Sequence, residues 1–473
     1  MNSTSLLLAG LALTTTAAFG KTIPNNAEAS LVLGQVDFTS KLAPVPPNAA
    51  SLNDPVSVIV DPVTRKVFVA ELGNHRVLRY ASADALANGA QAEAVFGQAL
   101  FTTATVAVTS NQFGGYPESI FLDTKGRLWV PDRAGNRVLR FDFASFCDSS
   151  PSASRVYGQP NFTTGTAATT STGMDRPFGV CVDSADRLWV ADTGNNRVLR
   201  FDSITTKPSG AAADGVLGHA DFTTSAAGSG NNGMVYPIGV TTSAGGSLYV
   251  TCSSAHRVMR FDNASGLGAN APASAVLGQP DFATVDPGTT AVTMRYPSGA
   301  WITPDDSLWV ADPGNNRVLR FNNASTKPSG AAADGVLGQP DFTSGLTATT
   351  RRGMDSPHYA PFVDTTGSLW IADSNNNRVL RFSPDATPPL LAVTAPAKVT
   401  KKPKIVIKGT ASDTYGISKV EYRIGKGPLK LATGTTAWSF KASLKKGKNT
   451  LTVIATDVDG IQSLRKIVKI TRR

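Results

Sequence analysis

The sequence predicts an all-β chain: a six-bladed β-propeller closed by its N-terminal strand, followed by an Ig-like β-sandwich. Three observations carry this. One phrase, Leu-Trp-Val-Ala-Asp leading to Arg-Val-Leu-Arg-Phe, recurs six times with copies starting at Phe68, Leu128, Leu188, Leu248, Leu308 and Leu369. A spacing this regular is the mark of one supersecondary unit repeated around a ring or along a solenoid. A second theme, Leu-Gly-Gln and its variants, recurs at Val32, Val95, Val156, Val216, Val276 and Val336, and its first copy precedes the first Arg-Val-Leu strand. The third observation is charge. The net +10 of the 473 residues divides unevenly, with 18 Lys/Arg against 5 Asp/Glu after residue 384 and 27 against 30 before it. The last ninety residues are therefore a separate, basic module.

Each repeat resolves into four short strands. In residues 156–201, Val156–Phe162 reads as one strand and Pro177–Asp183, after a Ser/Thr/Gly-rich loop, as the next. Leu188–Ala191 and Arg197–Phe201 follow, separated by Thr193-Gly-Asn-Asn196. Gly and Asn supply the positive φ values that tight hairpins need. Four strands per repeat is a propeller blade, and pairing Leu31–Phe38 with the last blade closes the ring without open edges. The repeated Asp192, Asp312 and Asp373, with Glu71 and Asp132 in the same slot, face Arg197, Arg317, Arg378, Arg76 and Arg137, and only Cys252 breaks the pattern. This theme is expected to be scaffold. So are the aromatic slot Phe68, Trp129, Trp189, Tyr249, Trp309 and Trp370, and the plugs Met174, Met234, Met294 and Met354.

The phrase Trp-Val-Ala-Asp-x-Gly-Asn-Asn-Arg-Val-Leu-Arg-Phe at Trp189–Phe201 and Trp309–Phe321 resembles the signature of NHL-repeat propellers, as does Pro177–Asp183. The resemblance spans residues 31–382 and implies fold rather than function. NHL-type propellers include peptide-cleaving lyases, lactonase-like enzymes, RNA-binding proteins and extracellular interaction domains. Ser383–Pro389 is a proline-rich linker. In residues 390–473, alternating strands at Lys404–Lys408, Lys419–Ile424, Trp438–Ala442 and Asn449–Ala455 fit an Ig-like sandwich. Asn449–Asp459 followed by Gly460 resembles the closing strands of bacterial Ig-like modules.

At the other end, the apolar run Leu6–Leu13 followed by Ala18-Phe19-Gly20 reads as a signal peptide over residues 1–20, implying a secreted, periplasmic or cell-surface protein. No later stretch is long and apolar enough to span a bilayer as a helix. Three cysteines in no CxxC spacing support neither a disulfide framework nor zinc.

Function is expected where the copies differ. The residues flanking the proline of each innermost strand form an unlike ring: Tyr116, Arg176, Tyr236 and Tyr296 before it, and Glu118, Phe178, Ile238, Ser298 and His358 after it. Blade six departs most, with an extra residue in Ser356-Pro-His-Tyr-Ala-Pro361, where Pro361 predicts a bulge that re-aims His358 and Tyr359. The nominated ligand-binding residues are therefore Tyr116, Glu118, Arg176, Tyr236, Tyr296, His358 and Tyr359.

His75 and His256 take a turn slot filled elsewhere by Asn, and His219 replaces a Gln. This leaves His358 alone, too few for a three-histidine zinc site. Glu118 is read as the sole acidic residue of the ring, which argues against calcium at the mouth. No metal, cofactor or catalytic residue is assigned. The expectation is an exported binding or scaffold protein taking a protein, peptide or glycan partner at the mouth, rather than an enzyme. A lactonase, strictosidine-synthase-like or lyase-type propeller enzyme is one alternative. Polyanion binding by the basic C-terminal module is another.

Overall fold

In a computed structural model, the described residues are 23–473 apart from 386, 395, 415 and 458–460; the expected signal segment and Asp459–Gly460 fall outside them. The chain divides into two compact units, residues 28–383 and residues 384–473, with 23–27 grouped with the second. Among the described residues of the first unit, six four-stranded antiparallel sheets form six blades. Blade three shows the pattern: Pro177–Val182 innermost, then Leu188–Asp192, Arg197–Phe201 and Gly215–Leu217 outermost. Blade six takes its outermost strand from the start of the chain. Leu31, Val32 and Leu33 pair with Arg381, Leu380 and Val379, and Ser30 N–H donates to Arg381 O at 2.7 Å.

The outermost strands are shorter than the sequence predicts. Leu31–Leu33 ends at Gly34, φ +83°, and Arg155–Tyr157 ends at Gly158, φ +81°. At Gly158 and its equivalent Gly278, a Cβ would lie 2.7 and 2.9 Å from Met174 and Met294. The methionine plugs are buried completely against these glycines, so the Gly and the Met form one packing device.

The Asp/Arg theme is scaffold. Each of these pairs is fully buried, with Arg Nε to carboxylate distances of 2.8 Å at Arg137–Asp132, 2.7 Å at Arg197–Asp192, 2.7 Å at Arg317–Asp312 and 2.6 Å at Arg378–Asp373. The remaining guanidinium donors hold loops. Arg197 gives Nη1 to Phe222 O at 2.6 Å and Nη2 to Thr170 O and Gly173 O at 2.8 and 3.0 Å. One planar fork thus staples its own incoming loop and the outgoing loop after the fourth strand, a job matched to arginine geometry. A second arginine in the same strand joins blades: Arg200 lies over the Trp189 ring and donates to Ser265 O of the next blade at 3.0 Å. His219 takes the glutamine's place with Nε2 3.0 Å from Asn195 O, one residue before the turn carbonyl that the glutamines hold in the other blades.

Blade four lacks the acid. Cys252 sits against Met259 with Sγ–Sδ 3.7 Å, and Arg257 Nε is buried with no hydrogen-bond partner. Cys252→Asp is therefore expected to stabilise the ring by about 1–3 kcal/mol, the value of a charge-assisted hydrogen bond to a buried donor. A rise in the chemical-denaturation midpoint at unchanged slope is the check.

The second unit is a sandwich of two sheets. One contains Leu390–Val393, Lys404–Ser412 and Ala437–Ser443; the other contains Val399–Thr400, Lys466–Arg472, Gly447–Asp457, Ile417–Ile424 and Lys430–Leu431. Trp438, Phe440, Leu451 and Val453 fill its core. No helix among the described residues is long and apolar enough to cross a membrane.

Candidate functional site

One interaction repeats at every blade junction and builds the mouth. The last residue of each hairpin turn, Asn or His, adopts a left-handed conformation, φ 49–53°. Its side chain accepts the backbone N–H of the residue before the next blade's proline. Asn136 Oδ1 accepts from Arg176 at 2.8 Å, Asn196 Oδ1 from Tyr236 at 2.9 Å, His256 Nδ1 from Tyr296 at 3.0 Å and Asn316 Oδ1 from Ser356 at 2.8 Å. His75 Nδ1 faces the Tyr116 N–H at 3.5 Å. His75 and His256 thus act as turn residues, and their rings also meet Tyr116 and Tyr296 edge-on, with centroids 5.4 and 4.5 Å apart.

The sixth junction corrects the sequence reading. Asn377 Oδ1 accepts the N–H of Asp54 at 2.8 Å, so Asp54 holds the blade-one place in the ring and Glu118 is not its only acid. The signal was Asn53-Asp54-Pro55, whose proline aligns with Pro117, Pro177 and Pro237 once blade one is counted.

The nominated residues fall into three levels. Tyr116, Tyr296 and Arg176 form an exposed rim, Arg176 pairing with Asp175 at 3.2 Å. Tyr236 is half-buried against Phe178, with centroids 5.9 Å apart. Glu118 and the half-buried His358 lie deeper. Tyr359 goes deepest: it is buried, φ +48°, clustered with Phe178 and Ile238, and its hydroxyl has no hydrogen-bond partner. The expected bulge is present as a register shift between His358 and Phe362. It sends Tyr359 across the axis as a floor. A Cβ on Gly179 would lie 2.4 Å from the Tyr359 hydroxyl and 2.3 Å from Ile238 O, so the inner strands meet too closely for a through-channel. Below Tyr359, Phe121, Trp301 and Phe362 leave a void of only about 20 Å³, room for a single water. Tyr359 closes the axis beneath the mouth.

On one side of the mouth the charges gather. Glu118 is almost fully buried and pairs with Arg133, Oε1 to Nη1 3.0 Å. The Arg133 guanidinium lies over the rings of Phe178 and Tyr116, 5.0 and 5.7 Å from their centroids. Burial pushes the Glu118 carboxyl up from 4.5 to about 7; the charge of Arg133 opposes this, and that of Asp54 adds to it. Asp54 also acts on His358, whose imidazole is pulled below its ordinary value by burial, with the Asp54 charge opposing. Ser374 Oγ donates to Asp54 Oδ1, and His358 Nδ1 is buried without a hydrogen-bond partner. Blades six, one and two thus place His358 and Glu118 each within the field of Asp54. A carboxyl held up to about 7 and an imidazole pulled below its ordinary value, both facing one aspartate, are equipment for proton transfer. Sequence reasoning missed Arg133 because it follows the scaffold acid in the hairpin turn, a position that holds Leu72, Thr193, Ser253, Pro313 and Ser374 in the other blades.

The NHL-repeat family profile matches residues 174–201 and that of the bacterial Ig domain matches residues 389–453. The chain thus carries an NHL repeat within its six-bladed propeller and a bacterial Ig domain after it. No curated protein matches it. Among solved structures, this propeller chain is similar to a Bacteroides thetaiotaomicron protein of unknown function (14% identity, 74% of this chain and 75% of that one, TM-score 0.48). It is similar to virginiamycin B lyase from Staphylococcus aureus (12%, 70% and 94%, 0.37). A further likeness is to a putative gluconolactonase (12%, 75% and 96%, 0.40). These names correct one expectation. The preference for a binder over an enzyme does not stand, because the solved structures it is similar to include streptogramin B and virginiamycin B lyases, a putative gluconolactonase and a luciferin-regenerating enzyme. At such identities the likeness assigns no activity to this chain.

Proposed function

We propose that the NHL propeller is an enzyme of the lyase or lactonase kind, working by proton transfer at its mouth. The supporting observation is that Asp54 lies in the field of both Glu118 and His358, from three adjacent blades, and that the slot of Glu118 and His358 holds Val56, Phe178, Ile238 and Ser298 in the other blades. Ionised Glu118, oriented by Arg133, accepts a proton from a bound water or from carbon beside a carbonyl; neutral His358 is the second group able to move a proton. Tyr116, Tyr236 and Tyr296 offer ring faces to a cyclic substrate, and Arg176 an exposed cation to an acidic substituent. On this reading the chain acts outside the cytoplasm, as the signal peptide read over residues 1–20 implies.

The test is a panel of lactones and other cyclic esters, with turnover followed by proton release. Wild-type turnover that falls at least 100-fold in Glu118→Gln supports the proposal, the size expected when a general acid or base is removed. Equal turnover by the two proteins overturns it. So does a glycan or peptide that binds the mouth tightly and is never altered, which would return the mouth to a binding role.

A further inference from the structure

We propose that the Ig-like unit binds a calcium ion through Asp385, Asp413 and Asp457. These three residues each offer a carboxylate oxygen, and the three oxygens lie within 4.8 Å of one another. Among the described residues this is the single group of three or more His, Cys, Asp or Glu side chains gathered so closely. The module carries 18 basic residues and only 5 acidic ones, so the meeting of three acids at one place runs against its composition. They come from distant points of the chain: Asp385 from the segment before the first strand, Asp413 just after Lys404–Ser412, and Asp457 at the end of Gly447–Asp457. The sheet topology brings those ends together.

A second observation points to a ligand. Asp385 is 2% exposed, and its Oδ1 is taken by the N–H and hydroxyl of Thr387 at 2.9 and 2.7 Å. Its Oδ2 is buried with no hydrogen-bond partner. A buried carboxylate oxygen left unmatched costs free energy that a metal ion recovers. Asp457 is 1% exposed and its Oδ1 is fixed by the Ile461 N–H at 2.8 Å, so two of the three donors are already oriented. Asp413 is half-buried and leaves a route for the ion.

The donor set selects the metal. All three donors are hard oxygens, with no nitrogen or sulfur to favour zinc or copper. Calcium takes six to eight oxygens in flexible geometry, which suits three carboxylates brought from separate chain segments; magnesium demands a near-ideal octahedron and keeps several of its waters. Backbone carbonyls and water can complete the six to eight ligands calcium takes. The ion would tie Asp385, in the linker, to the end of the sandwich.

Isothermal titration of the full chain, stripped with EDTA, with CaCl2 tests the assignment. One site per chain is expected, with a Kd of about 10⁻⁴–10⁻³ M, as in extracellular modules with exposed access, and calcium should raise the melting temperature. Asp385→Asn and Asp413→Asn, both checked for folding by circular dichroism, are expected to weaken binding at least tenfold and to abolish the thermal shift. Absence of a 1:1 calcium isotherm overturns the proposal, as does an unchanged Kd in both folded variants. Magnesium binding as tightly as calcium would overturn the choice of ion.

Discussion

Arg197→Ala is expected to destabilise the ring by about 3–5 kcal/mol, the cost of leaving a buried ion-pair partner alone. Asp192 is fully buried and keeps its carboxylate only because Arg197 Nε lies 2.7 Å away and Asn195 and the Asp175 N–H complete its shell. The same guanidinium satisfies the carbonyls of Phe222, Thr170 and Gly173, so truncation orphans three acceptors as well as one charge. Arg197→Lys should recover only part of the loss, because an ammonium cannot reach both loops from one point. By contrast, Arg200→Ala removes a partly exposed contact over Trp189 and one hydrogen bond to the next blade, and about 1 kcal/mol is expected. Calorimetry on the three variants orders them. An Arg197→Ala ring as stable as Arg200→Ala would contradict the staple.

Glu118→Gln is expected to lower turnover by about 100- to 10,000-fold with little change in KM, because a nearly isosteric amide keeps the packing and loses the carboxylate that accepts the proton. The pH dependence carries the sharper signature. Glu118 titrates at about 7 against 4.5 when solvated, so the folded state holds the proton more tightly than the unfolded one. Its contribution to stability is full below about pH 4.5 and is lost as pH rises through about 7. If Glu118 is the base, activity rises over the same interval. Arg133→Ala removes the opposing positive charge and should move the inflection upward; Asp54→Asn removes a like charge and should move it downward. Shifts of opposite sign from two neighbours are not what general loss of structure produces.

The ring was legible because a repeat averages out local ambiguity. Any one Leu-Trp-Val-Ala-Asp segment is a short apolar run, but six in register define blade, hairpin and closure together. Scaffold roles were legible for the same reason: Cys252 stood out as an exception, and Arg257 Nε is indeed left unpaired. The mouth was less so. Asp54 was hidden because blade one enters by a longer loop, and Arg133 because it sits inside a turn whose pattern reads as structural. Tyr359 was expected beside His358 in the site, yet its left-handed backbone sends it down to the floor. One-dimensional spacing orders residues around the ring; depth along the axis comes from bulges and from the tight approach of Gly179 to Ile238. The buried state of Glu118, which shapes its chemistry, comes from packing by Arg133 and the neighbouring blades and has no signature in the six-fold alignment.

The most direct measurement is the protonation of Glu118 itself, which needs no substrate. Infrared difference spectra between wild type and Glu118→Gln, taken across pH 4–9, isolate one carboxyl. A protonated-carboxyl band that persists to about pH 7 and is missing from the variant is the predicted result. A Glu118 band gone by pH 5, in the range of a solvated glutamate, would contradict a proton-transfer site at the mouth.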